Sequence, residues 1–183
     1  MAAQTLQVEK SADGLLQVTL NRPETRNALN TQMGIELREI FAPLAFHPQD
    51  IRCVLITGSG DKAFCAGGDL KERNGMTREQ WVHQHQIFER QYWTLVDLCL
   101  PVIAAVNGHA YGGGFETVLS CDFAYAAKTA RFALPEVTLG IMPGTGGTQN
   151  LPRAIGERRA KEMIMSGRPI TAQQALEWGA LNG

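Results

Sequence analysis

The stretch "PVIAAVNGHAYGGGFETVLSCDFAYAA" (residues 101–127) decides how the chain folds. It reads as a short buried strand over 101–108, a glycine triplet at Gly112, Gly113 and Gly114, an apolar helix from about Glu116, and a further strand over 121–127. A glycine in a helix interior costs about 1 kcal/mol against alanine, so three in a row need a reason other than helix stability. After a strand, successive backbone N–H groups with no side chain over them make a site for negative charge at a helix N-terminus. Strand, helix and strand in that order also imply parallel strands joined by a crossover.

Outward from this stretch the alternation continues. "TLQVE" (5–9) and "GLLQVTL" (14–20) flank the turn-prone "SADG" and are expected as a hairpin. "NRPETRN" reads as loop. Met33, Ile35, Leu37, Ile40, Phe41 and Leu44 recur near helical spacing and predict a helix over 31–46. "RCVLITG" (52–58) is a buried strand, residues 61–69 a loop, and residues 78–99 a long amphipathic helix. "ARFAL" (130–134) is another strand, and the remainder, through "ERRAKEMIMSG" and "TAQQALEWGA", gives a loop and helices. No repeat, low-complexity tract or linker interrupts the pattern. The expectation is an α/β fold, one domain over 1–183. The chain stops immediately after a helix with no closing element, which reads as a piece of something longer.

The chain has 183 residues, 44% of them apolar, enough for one sizeable core. Seventeen basic residues against 18 acidic ones give a net charge of −1, which argues against a general nucleic-acid or membrane-surface binder. The N-terminus lacks the basic-then-apolar pattern of a signal peptide, and no apolar run approaches the ~20 residues that span a bilayer. A cytoplasmic, soluble protein is expected. Cys53, Cys65, Cys99 and Cys121 show no paired spacing, and Cys53, Cys99 and Cys121 lie in apolar surroundings, so those three are expected as small buried hydrophobes, and a disulfide framework or zinc site is not expected. His83 and His85 lie two apart on the predicted helix, facing different sides. Both are expected at the surface, and no metal site is expected.

Glycine-rich loops invite a dinucleotide fingerprint, G-x-G-x-x-G after a strand. "GTGGTQ" (144–149) fails it at Gln149 and "GHAYGG" (108–113) at Ala110, and no P-loop is present. "CAGGD" (65–69) is a second glycine turn after a buried strand. Two such turns could each direct one N–H at a single oxygen, the geometry of an oxyanion hole. On glycine content alone, two ordinary tight turns serve equally well. Glu116 and Glu136 lie in apolar segments beside these turns, where a carboxylate is costly unless paired or used. Burial suits such groups to acid–base work by raising their pKa; each could also be a helix-start carboxylate favoured by the dipole.

Five blocks carry a resemblance: "LNRPETRNALN", "VLITGSGDKAFCAGGDLKE", "PVIAAVNGHAYGGGFE", "FALPEVTLGIMPGTGGTQNLPR" and "SGRPITAQQALEWG". In this order, over nearly the whole chain, they resemble the enoyl-CoA hydratase/isomerase (crotonase) superfamily. The resemblance implies a crotonase-like spiral of repeated β-β-α units, assembled as a homotrimer or dimer of trimers. It implies an acyl-CoA substrate whose thioester enolate is stabilised by the N–H groups of Gly68 and Gly113. Ala66, Gly67, Asp69, Leu70 and the "ETRNA" loop with Arg26 and Ala28 would line the coenzyme A. Lys62 and Lys71 would lie near its phosphate-bearing end, unless they are ordinary surface lysines. Tyr111, Gly112, Pro135 and Gly144 complete the implied substrate contacts.

Hydratases of this superfamily carry both glutamates, twenty positions apart as here, whereas many isomerases keep only the second. The implied reaction is addition of water to a 2-enoyl-CoA in fatty acid metabolism. It would need no metal or other cofactor, since coenzyme A belongs to the substrate. Phe115 is shared with carnitinyl-CoA dehydratase-like members, so that reaction, enoyl isomerisation, or a non-catalytic acyl-CoA-binding fold stand as alternatives. RNA binding has no basis: the helix over 31–46 carries only Arg38 against Glu36 and Glu39. Members continue past "WGALN" with helices that cover the acyl pocket, so a core lacking the C-terminal helical part is expected.

Overall fold

A computed structural model describes residues 3–183. In chain order it contains β1 (Leu6–Lys10), β2 (Leu15–Leu20), α1 (Thr31–Leu44), β3 (Cys53–Gly58), β4 (Ala63–Cys65), α2 (Leu70–Arg73), α3 (Arg78–Val96), β5 (Val102–Val106) and β6 (His109–Tyr111). There follow α4 (Gly113–Ser120), β7 (Phe123–Ala126), β8 (Arg131–Ala133), α5 (Gly147–Ile155), α6 (Glu157–Ser166), β9 (Ile170–Thr171) and α7 (Ala172–Trp178). Short 3-10 turns occupy Pro23–Thr25 and Glu136–Leu139.

Two sheets organise these elements. One has the strand order β1-β2-β3-β5-β7 and the other β4-β6-β8-β9. β1 and β2 form the expected antiparallel hairpin, while β2, β3, β5 and β7 run parallel. β4, β6 and β8 are parallel to one another, and β9 closes that sheet antiparallel. Three successive segments each give one strand to the first sheet, one to the second, and then a helix. That is the β-β-α spiral, and it brings the turns after β4 and β6 together.

Local signals explain the elements. β3 alternates buried Val54 and Ile56 with half-buried neighbours, as a strand packed on both faces requires. The Asn30 side chain accepts a hydrogen bond from the Met33 N–H at 3.0 Å and starts α1. α1 then buries Met33, Leu37, Phe41 and Leu44 against α3. α3 opens with a reciprocal capping box between Thr77 and Gln80. Phe41, Phe64, Phe115 and Phe132 are among the largest fully buried side chains of the core.

Several expectations are corrected. The loop expected over 61–69 contains β4, and β6 and β9 were not expected; strands of two or three residues are too short to show alternation. α3 ends at Val96 rather than Cys99, and Cys99 is exposed rather than buried. Of the free cysteines only Cys65 is deeply buried. α4 begins at Gly113, three residues before Glu116. Among the described residues no helix is long and apolar enough to cross a membrane.

Candidate active site

The glycine turns after β4 and β6 lie against each other, backbone to backbone. Gly67 has φ +90°, and a Cβ there would stand 2.8 Å from the Tyr111 carbonyl and 3.4 Å from the Gly113 nitrogen. A Cβ on Gly114 would stand only 2.3 Å from the Cys65 carbonyl oxygen. Glycine is required because two main chains occupy the space of side chains. Among the described residues, the N–H groups of Gly68 and Gly113 donate no hydrogen bond. Gly113 is the first residue of α4, so its N–H has no partner within the helix.

Two buried carboxylates complete the arrangement, in unlike surroundings. Glu116, on the first turn of α4, accepts hydrogen bonds from the Thr145 N–H (2.8 Å), the Thr145 hydroxyl (2.6 Å) and the Gly147 N–H (2.8 Å). Glu136 opens the 3-10 turn after β8 and is 8% exposed, and its Oε2 has no hydrogen-bond partner. Burial, with a smaller contribution from the charge of Glu116, pushes the Glu136 pKa up from 4.5 to about 7. A Cβ on Gly112 would lie 3.0 Å from Glu136 Oε1, so the glycine turn also makes room for this carboxyl.

Gly68, Gly113, Glu116 and Glu136 all line a cavity of about 520 Å³. Of the residues expected from sequence, Ala66, Gly67, Leu70, Gly112, Pro135 and Gly144 also line it. Others are placed elsewhere. Asp69 turns inward: it caps α2, accepting from the N–H groups of Lys71 and Glu72, and pairs with Arg22 at 2.9 Å. Ala28 is buried, with its carbonyl accepting from Arg22 at 2.7 Å. Tyr111 stacks on His109 and contributes its carbonyl, not its ring, to the turn. Arg26 and Lys62 line a separate concavity of about 310 Å³ with Asp61 and His109. Lys71 is exposed and outside both.

The cavity also holds residues that sequence reading passed over. Thr145 lines it, and Gly147, just behind, donates its N–H to Glu116; both belong to "GTGG", where a row of N–H groups was the available signal. His83 is exposed as expected, but His85 lines the cavity, stacked on Trp81 at 5.3 Å between ring centres. Arg73 and Tyr92 line it too. Phe115 does not: it packs on Phe132 in the core. Among the described residues no cluster of three or more His, Cys, Asp or Glu side chains is placed to hold a metal ion.

The arrangement can polarise an oxygen with two N–H groups while one carboxyl accepts and another delivers a proton. Comparison with known proteins agrees in kind. Residues 10–183 match the sequence profile described as enoyl-CoA hydratase/isomerase. YngF of Bacillus subtilis is 48% identical over 162 residues, covering 88% of this chain and 62% of that protein. A carnitinyl-CoA dehydratase of Citrobacter koseri is 41% identical over 175 residues, covering 92% of this chain and 63% of that protein. The crystal structure of an enoyl-CoA hydratase from Bacillus anthracis superposes with a TM-score of 0.93 at 45% identity, over 97% of this chain and 69% of that one. The chain thus spans about 57–63% of the length of the curated relatives it matches.

Proposed function

The chain belongs to the enoyl-CoA hydratase/isomerase family, and from that premise we propose that it hydrates 2-enoyl-CoA thioesters. The observation that carries this reading is the contrast between the two carboxyls on one cavity. Glu116 accepts three hydrogen bonds, whereas Glu136 has an unbonded oxygen and a pKa pushed up to about 7. Environments that set two carboxyls apart are the mark of paired acid and base roles.

The thioester carbonyl oxygen sits between the N–H groups of Gly68 and Gly113. They draw electron density from the conjugated system and make Cβ electrophilic. A water held between the glutamates loses a proton to Glu116 as its oxygen bonds to Cβ. The C=C pair moves to form an enolate whose negative oxygen the N–H groups bind. Glu136 then delivers its proton to Cα as the carbonyl re-forms, and proton exchange with solvent resets both carboxyls. This chemistry uses no metal or redox group, and coenzyme A is part of the substrate. We further place the activity in the cytoplasm, in fatty acid metabolism. The protein would act as a homotrimer or dimer of trimers when it carries helices corresponding to those of its longer relatives.

The test is loss of the conjugated-thioester absorbance of crotonyl-CoA. The Glu136→Gln variant is expected to lower kcat by about 10²- to 10⁴-fold, the range for a positioned general acid, while acyl-CoA affinity changes little. Near-normal turnover in that variant would sink the assignment. Similarity to a carnitinyl-CoA dehydratase favours dehydration of a 3-hydroxyacyl thioester as a second reading, and product mass separates the outcomes. Hydration adds one water, dehydration removes one, and isomerisation changes nothing.

A further inference from the structure

Arg73 has no part in the chemistry above, yet it lines the same cavity, beside Gly68. The position that a Cβ on Gly68 would occupy is 3.1 Å from Arg73 Cζ and 3.2 Å from both terminal nitrogens. One face of the guanidinium lies over the Phe88 ring, 5.7 Å from its centre. Its Nε donates to Gln84 Oε1 at 2.9 Å. Gln84 is itself buried, and its amide nitrogen donates to the Thr31 hydroxyl (2.8 Å) and to Glu72 (2.7 Å). α1, α2 and α3 therefore jointly fix the direction of this side chain. Among the described residues the two terminal nitrogens of Arg73 have no acceptor, and no carboxylate pairs with it within ion-pair distance.

A rigidly held guanidinium with its fork unused is costly beside an aliphatic ligand. A hydrocarbon chain would strip water from the charge and give nothing back. Much of the surrounding wall, including Leu29, Leu70, Phe88 and Leu95, is apolar and offers no substitute acceptor. Among the described residues the only carboxylates on the cavity, Glu116 and Glu136, are assigned to the reaction. A planar fork of donors is matched by a carboxylate accepting two parallel hydrogen bonds.

We propose that the acyl group carries a second, free carboxylate, and that Arg73 binds it: the substrate class is the short-chain dicarboxylic monothioester of coenzyme A. The carboxylate sits close to the thioester because Arg73 sits close to Gly68. This inference rests on reading the cavity as an acyl-thioester site, but it needs no turnover to be tested. Arg73 acts in binding, and Arg73→Met keeps a side chain of similar length without the charge.

The experiment is calorimetric titration of this chain, and of Arg73→Met and Arg73→Lys, with two saturated, unreactive thioesters: glutaryl-CoA, which carries the free carboxylate, and butyryl-CoA, which does not. Circular dichroism verifies that each variant is folded. In the parent chain glutaryl-CoA should bind about 10- to 100-fold more tightly than butyryl-CoA, the range of a charge-assisted pair. The Met variant should bring that ratio to about one or below, and the Lys variant should restore only part of it. A parent ratio near one overturns the proposal. So does a Met variant that weakens both ligands equally, which would assign Arg73 to the coenzyme A portion. Crotonyl-CoA hydration is followed in parallel. If turnover is absent while the glutaryl preference holds, the hydratase reading fails and the carboxylate site stands; if turnover is present without the preference, the reverse is true.

Discussion

Thr145 holds Glu116 twice, through its N–H at 2.8 Å and its hydroxyl at 2.6 Å. Removing only the hydroxyl with Thr145→Val leaves one Glu116 oxygen without its donor. A hydrogen bond to a charged group contributes about 1.5–3 kcal/mol, so kcat should fall about tenfold or more, with a smaller change in KM. Thr145→Ser should recover most of the loss, and steady-state kinetics on crotonyl-CoA would read all three. If the valine variant keeps full kcat, the Thr145 hydroxyl does not position Glu116 for the reaction. At this scale the sequence was partly legible. The two glutamates stood out because a carboxylate in an apolar run is conspicuous on its own. Thr145 did not, because its value comes from a partner 29 positions earlier. Arg73 and His85 were hidden for a related reason: helix periodicity says which residues share a face, not whether that face meets a neighbour or a cavity. Asp69 shows the other side of this: a position beside the glycine turn is equally suited to starting α2, and its side chain caps that helix.

Among the elements, α4 is the one whose placement depends most sharply on a single residue. It begins three residues earlier than helix propensity suggests, because Gly114 lets the helix seat directly on the end of β4. A methyl group there would sit 2.3 Å from the Cys65 carbonyl, an overlap only a backbone shift can relieve. Gly114→Ala should therefore destabilise the chain by about 3 kcal/mol or more, although alanine favours a helix in isolation. Urea unfolding would show it as a lowered midpoint, and an unchanged midpoint would mean that the packing is looser than these distances. The longer elements, α1, α3, β3 and β5, were legible because each spans enough residues to display its period. β4, β6 and β9 were not. Their pairing is set by strands distant in sequence, and two or three residues carry no pattern of their own.

For the whole molecule, the raised pKa of Glu136 links function to stability. A carboxyl whose pKa is higher folded than unfolded favours the folded state while it is protonated. Its contribution is fully present below about 4.5 and is lost as pH rises through about 7. The shift corresponds to about 3 kcal/mol, or roughly 6–12 °C in Tm for a chain of this size. Between pH 5 and pH 8 the parent chain should lose that much more Tm than Glu136→Gln, in which the group cannot ionise. Scanning calorimetry at the two pH values checks it, and parallel losses would show that Glu136 titrates in the ordinary carboxylate range. A wider consequence follows from the two glycine turns. The proposed donors are main-chain amides belonging to successive turns of the spiral, so no side chain sets their spacing. They resemble the jaws of a caliper whose gap is the fit between two layers of the body. Any loosening between those layers would open the gap before secondary structure melts. Catalytic rate would then gauge the internal tightness of the fold, fading on heating while the helices still give their full signal.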